Sequence, residues 1–165
     1  MKDTINLFNL TQESLNNFFA ELGEKPYRTK QFMQWVYHKN QLDFSQMLNL
    51  SKGLREGLSQ VATLELPAVA KQNFSLDGVV KWVIDLGQNN HIETVYIPEK
   101  DRGTLCISSQ VGCSLACTFC STGAQGFNRN LSTAEIIGQV MVAQQYLSDK
   151  GKRISNVVFM GMGEP

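Results

Sequence analysis

The sequence predicts an α/β fold, entered through a small helical domain and a short antiparallel β meander. Three observations carry this prediction. Apolar residues recur at helical spacing through the first 65 residues, alternate at strand spacing after Leu66-Pro67, and from Thr104 onward follow a strand, loop, helix, strand order. That last order is the parallel building block of α/β folds. The expected divisions are a helical accessory domain over 1–65, an antiparallel β extension over 66–100 and the opening of the α/β core over 101–165.

Each element has a local reason. Thr11 caps a helix whose Leu15, Phe18, Phe19 and Leu22 fall at i, i+3, i+4 and i+7, and Gly23 ends it. A second helix is expected over 29–39, with Phe32, Met33, Trp35, Val36 and Tyr37 on its apolar side, and a third after Ser51 that buries Leu54, Leu58 and Val61. Strands are expected over 69–74, 79–85 and 91–97, separated by the turn signals Asp77-Gly78 and residues 87–90. A fourth strand over 104–109 leads to a cysteine-rich loop. Ser132 and Glu135 form a capping box that opens a helix burying Ile136, Ile137, Val140 and Leu147. The polar loop 148–153 returns the chain to a strand over 154–160.

Of 165 residues, 42% are hydrophobic, and 15 basic side chains balance 15 acidic ones, so the chain is globular and not a bulk nucleic-acid coat. Local contact with RNA stays open. Residues 1–11 lack a basic start followed by an apolar stretch, and no apolar run approaches the roughly 20 residues of a membrane helix. A cytoplasmic protein without a membrane partner is expected. Three of the four cysteines are packed too tightly for a disulfide scaffold, which suits a reducing compartment and metal-binding thiolates. The chain stops just after a strand-like run that has no later strand to pair with, whereas strand-helix barrels need roughly 200 residues or more. An N-terminal fragment with an incomplete barrel is therefore expected.

Cys113, Cys117 and Cys120 stand as Cys-x3-Cys-x2-Cys in GCSLACTFCSTG. Thiolates select iron-sulfur clusters, zinc or Cu(I). A 4Fe-4S cluster on three protein thiolates leaves one iron open, while structural zinc wants a fourth ligand, for which His91 or Cys106 is available. The GMGEP run at 161–165 follows a predicted strand, where ligands bind in such sheets, and its carboxylate can accept hydrogen bonds from an ammonium group. Alone, that run reads as a turn, Cys106 as a core cysteine and Glu93 as a solvated strand residue. Lys25, Arg28, Lys30 and Lys39, interleaved with Tyr27 and other aromatics, can contact RNA, although aromatics at helical spacing usually pack in a core. Arg129 has two readings, a phosphate contact or a loop salt bridge.

Phe119 before the third cysteine completes the Cys-x3-Cys-x-aromatic-Cys pattern of the radical S-adenosylmethionine enzymes. Taken with SSQVGCSLACTFCSTGAQGFNRNL, VVFMGMGEP, HIETVYIPEKDRGTLC and LGEKPYRTKQFMQWVYHK, the sequence resembles the RlmN family over nearly its whole length. These are methyltransferases that act on C2 of adenosine in 23S rRNA and in tRNA. The resemblance implies a partial (β/α) barrel of the radical SAM type, a 4Fe-4S cluster on Cys113, Cys117 and Cys120, and S-adenosyl-L-methionine as cofactor. It also implies an electron donor such as flavodoxin.

By the same resemblance, Gly163 and Glu164 hold the cofactor's amino group, and Phe119 packs by the cluster or cofactor, the alternative being an ordinary core aromatic. A methyl-bearing cysteine nearer the family's C-terminus becomes linked to the RNA base. Glu93, in a dry pocket with a raised pKa, is the proton acceptor, and Cys106 resolves the crosslink through a transient disulfide with that second cysteine. The partner cysteine is absent from this stretch, so the full-length form is expected to be active and this stretch alone inactive. Two rivals stand beside this reading: a C8-adenosine methyltransferase of the Cfr type, and a non-catalytic, zinc-stabilised RNA-binding module.

Overall fold

The computed structural model describes residues 4–165, so the start of the stretch read for a secretory signal lies outside the described residues. The chain divides into two compact units, Met1–Glu65 and Leu66–Pro165.

The first unit is built on α1 (Gln12–Glu21), α2 (Tyr27–Met33) and α3 (Lys52–Val61). Thr11 Oγ1 accepts from Ser14 N at 3.2 Å and Ser51 Oγ from Leu54 N at 3.2 Å, which starts α1 and α3 where their capping residues stand. The helix expected over 29–39 begins earlier, at Tyr27, and after Met33 widens into a π turn over Gln34–His38. Phe8, Leu15, Phe19, Phe32, Val36, Met47 and Leu58 close the core, with the Phe19 and Phe32 rings 5.5 Å apart. Leu22 does not join them. It is 39% exposed because α1 has already ended at Glu21 and the chain turns through Gly23. The pattern also concealed a two-residue parallel pairing between β1 (Ile5–Asn6) and β2 (Ala62–Thr63).

In the second unit β3 (Ala68–Phe74), β4 (Val80–Asp85), β5 (His91–Pro98), β6 (Gly103–Cys106) and β9 (Asn156–Val158) form one sheet in that order. Its first four strands are antiparallel neighbours, and β6 and β9 are parallel. Residues 66–100 and the strand after them therefore belong to one sheet instead of an extension attached to a core. Both strands expected after residue 100 are shorter than their apolar runs: β6 stops at Cys106 and β9 at Val158. A separate two-stranded ribbon, β7 (Gln110–Gly112) with β8 (Phe127–Asn130), brackets the cysteine loop and the single-turn helix α4 (Ser121–Ala124).

Helix α5 (Thr133–Ser148) carries the chain from the β6 side of the sheet to β9. Its capping box forms as the sequence requires: Ser132 Oγ accepts from Glu135 N at 3.3 Å, and Glu135 Oε2 accepts from Ser132 N at 2.8 Å. Its buried face is rotated from the expected one. Ala134, Gly138, Gln139, Met141, Ala143 and Leu147 are buried, while Ile136 and Val140 pack only partly against the core. Small residues stand at 134, 138 and 143 of this face, and a Cβ at Gly138 would lie 3.0 Å from Cγ of Pro67, the residue before β3. The core beneath comprises Val80, Trp82, Ile84, Ile92, Tyr96, Leu105 and Ile107, with Tyr146 edge-on to Trp82 at 5.5 Å.

Arg129 adopts the loop salt bridge of its two readings. Its guanidinium donates to both Glu135 oxygens at 2.8 and 2.7 Å, a fork-to-fork pair. Burial pushes the Glu135 carboxyl up, but hydrogen bonds from Arg129 and Ser132, with the Arg129 charge, outweigh it and hold the group below its ordinary value. A carboxylate depressed on folding contributes stability above its unfolded pKa and loses that contribution as pH falls through the folded one. Glu135→Ala is expected to cost about 1–2 kcal/mol near pH 7, a difference that shrinks toward about pH 3. Urea unfolding of parent and variant at the two pH values measures it.

Candidate functional site

Strand alternation decides which side chains share a face. On β4, β5 and β6, Val80, Trp82, Ile84, Ile92, Thr94, Tyr96 and Leu105 point into the core beneath α5. The intervening residues Lys81, Glu93, Val95 and Cys106 occupy the opposite, half-open face. Val95 pairs with both Lys81 and Cys106, so Glu93, two residues before Val95, is a diagonal neighbour of each. Cys106 and Glu93, separate in sequence, thus share one face of the sheet.

Glu93 does not occupy the dry pocket expected of it. Lys81 Nζ donates to Glu93 Oε1 at 2.8 Å, and the two side chains remain 40% and 46% exposed. Cys106 is half-buried, and burial pushes its thiol pKa up. All four cysteines are free, so the disulfide expectation gains no support among the described residues.

The cysteine loop leaves the sheet just beyond the carboxyl end of β6. Gly112 has φ +75°, and a Cβ there would lie 2.9 Å from the Gly126 carbonyl carbon, so this first hinge of the loop requires glycine. Cys113 is buried and its N–H donates to Gly126 O at 3.1 Å. Cys117 and Cys120 are partly exposed. Cys120 stands at the N-cap position of α4 without a side-chain capping hydrogen bond; the nearby Gly123 and Thr122 backbone N–H groups lower its thiol pKa, against burial and the Glu164 charge. Phe119 is 92% exposed, so it is not a core aromatic of the described residues.

The GMGEP run lies beyond the carboxyl end of β9, alongside residues 107–110. Gly161 N donates to Ile107 O at 3.0 Å, and Ser109 N and Gln110 N both donate to Met162 O, at 2.9 and 3.2 Å. Gly163 has φ +87°, and a Cβ there would lie 2.6 Å from Gln110 Cγ and 2.8 Å from its backbone nitrogen. This glycine is thus required by contact with Gln110 as well as by its turn. Glu164 is exposed.

Beneath the site lies a buried polar network that the sequence pattern did not single out. Gln139 Oε1 accepts from Thr94 Oγ1 and from Ser108 N, each at 2.8 Å, while Gln139 Nε2 donates to Ser108 O at 3.0 Å. Ser108 Oγ donates to Glu93 O at 2.7 Å and accepts from Met162 N at 2.9 Å. Thr94, Ser108 and Gln139 are each fully buried. A signal was present: Thr94 stands in the apolar phase of its strand between Ile92 and Tyr96, where a polar residue needs a partner.

The donor set suits an iron-sulfur cluster in its chemistry: three thiols on one loop, one of them biased toward thiolate by backbone N–H groups. Among the described residues no three His, Cys, Asp or Glu side chains converge as a single-ion site. His91, offered as a fourth zinc ligand, is the first residue of β5, and its Nε2 lies 3.9 Å from Asp85 Oδ1.

In the first unit, Arg28 is engaged by Glu24 at 3.2 Å, Gln31 at 2.9 Å and the Asn49 carbonyl at 3.0 Å. The Lys39 ammonium lies 3.6 Å from the centre of the Trp35 ring. Tyr27 is 49% exposed, with the Arg28 guanidinium 4.9 Å from its ring centre. No helix among the described residues is long and apolar enough to cross a membrane.

The described α/β fold is similar to that of a radical SAM methyltransferase. A crystal structure of such an enzyme from Sphaerobacter thermophilus matches with a TM-score of 0.87 and 36% identity, over 98% of this chain and 48% of that one. Residues 5–64 match the ribosomal RNA large subunit methyltransferase N-terminal domain, RlmN_N. Over 97% of its length the chain is 69% identical to the dual-specificity RNA methyltransferase RlmN of Ruthia magnifica subsp. Calyptogena magnifica. It is 66% identical to that of Vesicomyosocius okutanii subsp. Calyptogena okutanii over the same share. The chain spans 45% of the length of these two RlmN relatives, to which it is similar over nearly all of its own length.

Proposed function

We propose that the protein carrying this chain is a radical SAM methyltransferase that methylates C2 of adenosine in 23S rRNA and in tRNA, in the cytoplasm, with flavodoxin or a similar donor supplying electrons. One observation carries the reading: the cysteine loop and the GMGEP turn meet beyond the carboxyl ends of β6 and β9, next to a sheet face bearing Glu93 and Cys106. Open α/β sheets bind their ligands at that end of the strands. The surrounding architecture is read as the opening of a partial (β/α) barrel.

In this proposal Cys113, Cys117 and Cys120 hold the 4Fe-4S cluster, and Gly163 and Glu164 receive the amino group of S-adenosylmethionine. The cluster, when bound, supplies the electron that cleaves the cofactor. Glu93 accepts the proton lost from the base; Lys81 engages its Oε1 and holds the carboxylate on the open face. Cys106, its diagonal neighbour, is the thiol that resolves the protein-RNA link. Lys25, Tyr27, Arg28, Lys30 and Lys39 of the first unit contribute RNA contacts.

The test uses the whole protein, anaerobically loaded with cluster and cofactor, with ribosomal and transfer RNA as substrates. Mass analysis of the nucleosides should show adenosine methylated at C2; methylation at C8 would make it an enzyme of the Cfr type. Bound zinc with no methylated product would favour the RNA-binding module. With Glu93→Gln, crosslinked protein-RNA should accumulate and its release slow by about 100-fold or more. Ordinary turnover by that variant would remove Glu93 from the mechanism.

A further inference from the structure

Gln110 lies between the two parts of the site and carries no role in the reading above. It is 7% exposed and pairs in register with Asn130 across β7 and β8, where its Nε2 donates to Asn130 Oδ1 at 3.0 Å. That bond fixes which way the amide points. Its Oε1 then accepts two backbone N–H groups, Ser114 N at 3.2 Å and Glu164 N at 3.3 Å. Ser114 follows the first cysteine of the loop, and Glu164 is the acidic residue of the GMGEP turn. A single carbonyl oxygen therefore spans the two segments, and the contact of its side chain with Gly163 closes the same joint.

We propose that Gln110 is a positioning residue that sets the separation and orientation of the cysteine loop relative to the Gly163-Glu164 turn, so that S-adenosylmethionine meets both at once. The inference rests on the proposed roles of these two segments. A side-chain acceptor suits the task better than backbone pairing alone: Met162 O already holds Ser109 and Gln110, yet neither of those bonds reaches the cysteine loop. The Gln110 amide touches the loop, the turn and the β8 strand together.

The experiment compares the whole parent protein with Gln110→Met, which keeps the length and removes both polar functions, and Gln110→Glu, which keeps the acceptor. After anaerobic reconstitution, iron content, the dissociation constant for S-adenosylmethionine by equilibrium dialysis and the melting temperature are measured. For Gln110→Met we expect full iron content and a dissociation constant raised about 10–100-fold, the scale on which outer-shell partners act. Gln110→Glu should recover most of the affinity. A lowered melting temperature with unchanged affinity would overturn the positioning role and leave a structural one.

Should Gln110→Met fail to fold, amide exchange in the parent decides: Ser114 and Glu164 N–H groups should be protected, and exchange at free-peptide rates would overturn the proposal. A parent that takes up neither cluster nor cofactor would instead sink the proposed function and this inference with it. A competent parent matched by both variants would sink this inference alone.

Discussion

Replacing Gln139 by Leu is expected to destabilise the second unit by about 3–5 kcal/mol, because each buried polar group left unpaired costs about 1–3 kcal/mol. The variant deprives Ser108 N, Ser108 O and Thr94 Oγ1 of their partner in one step, at two fully buried residues where water cannot substitute. The costs share one network, so they do not sum to their individual limits. Adding Thr94→Val removes one of the stranded groups and should recover part of the loss. Chemical denaturation of the two variants beside the parent measures both effects. A Gln139→Leu variant within about 0.5 kcal/mol of the parent, the usual range for inert surface changes, would show that the network does not support the unit.

Cys117→Ala in the whole protein should strip the site of its cluster. Removing a direct ligand weakens binding by more than the about 10–100-fold that outer-shell changes produce. Iron and sulfide retained after anaerobic reconstitution and desalting should therefore fall to background. Cys106→Ala is the matched comparison: it removes a thiol from β6, within the sheet and outside the cysteine loop, and should leave the iron content at the parental level. Equal iron loss in both variants would place Cys106 among the ligands and undo the division of the four cysteines. Full retention by Cys117→Ala would remove the loop from the cluster site altogether.

The parts of this fold legible in the sequence are those specified by neighbours. Thr11, Ser51 and the Ser132-Glu135 box start their helices because a cap needs only a side chain within reach of the next turn. The alternation through β4 and β5 survives intact because one face of the sheet is buried and a slip by one residue would invert it. Leu22 and the face of α5 were misjudged for one reason. Apolar spacing reports that a side is buried, but the length of a helix and the closeness of its approach decide which side chains reach the core.

The site divides along the same line. The clustered cysteines and the GMGEP run are visible because each concentrates its chemistry within a few consecutive residues. Gln110 was not, since its role exists only once β7 pairs with β8 and the turn after β9 returns beside it. The surroundings of Glu93 differ from those expected: its cross-strand pair with Lys81 depends on register between strands, which no local pattern states.

By itself, then, the sequence determined the order of elements, the helix caps, the clustering of three cysteines in one loop and the placement of Cys106 on the strand before it, because all of these depend on residues close along the chain. Tertiary structure alone decided that Glu93 and Cys106 share a sheet face, that Gly163 is glycine partly on account of Gln110, and that one buried amide joins the cysteine loop to the turn. Those relations arise between residues as many as 54 positions apart, and the pairing of strands brings them within hydrogen-bonding distance.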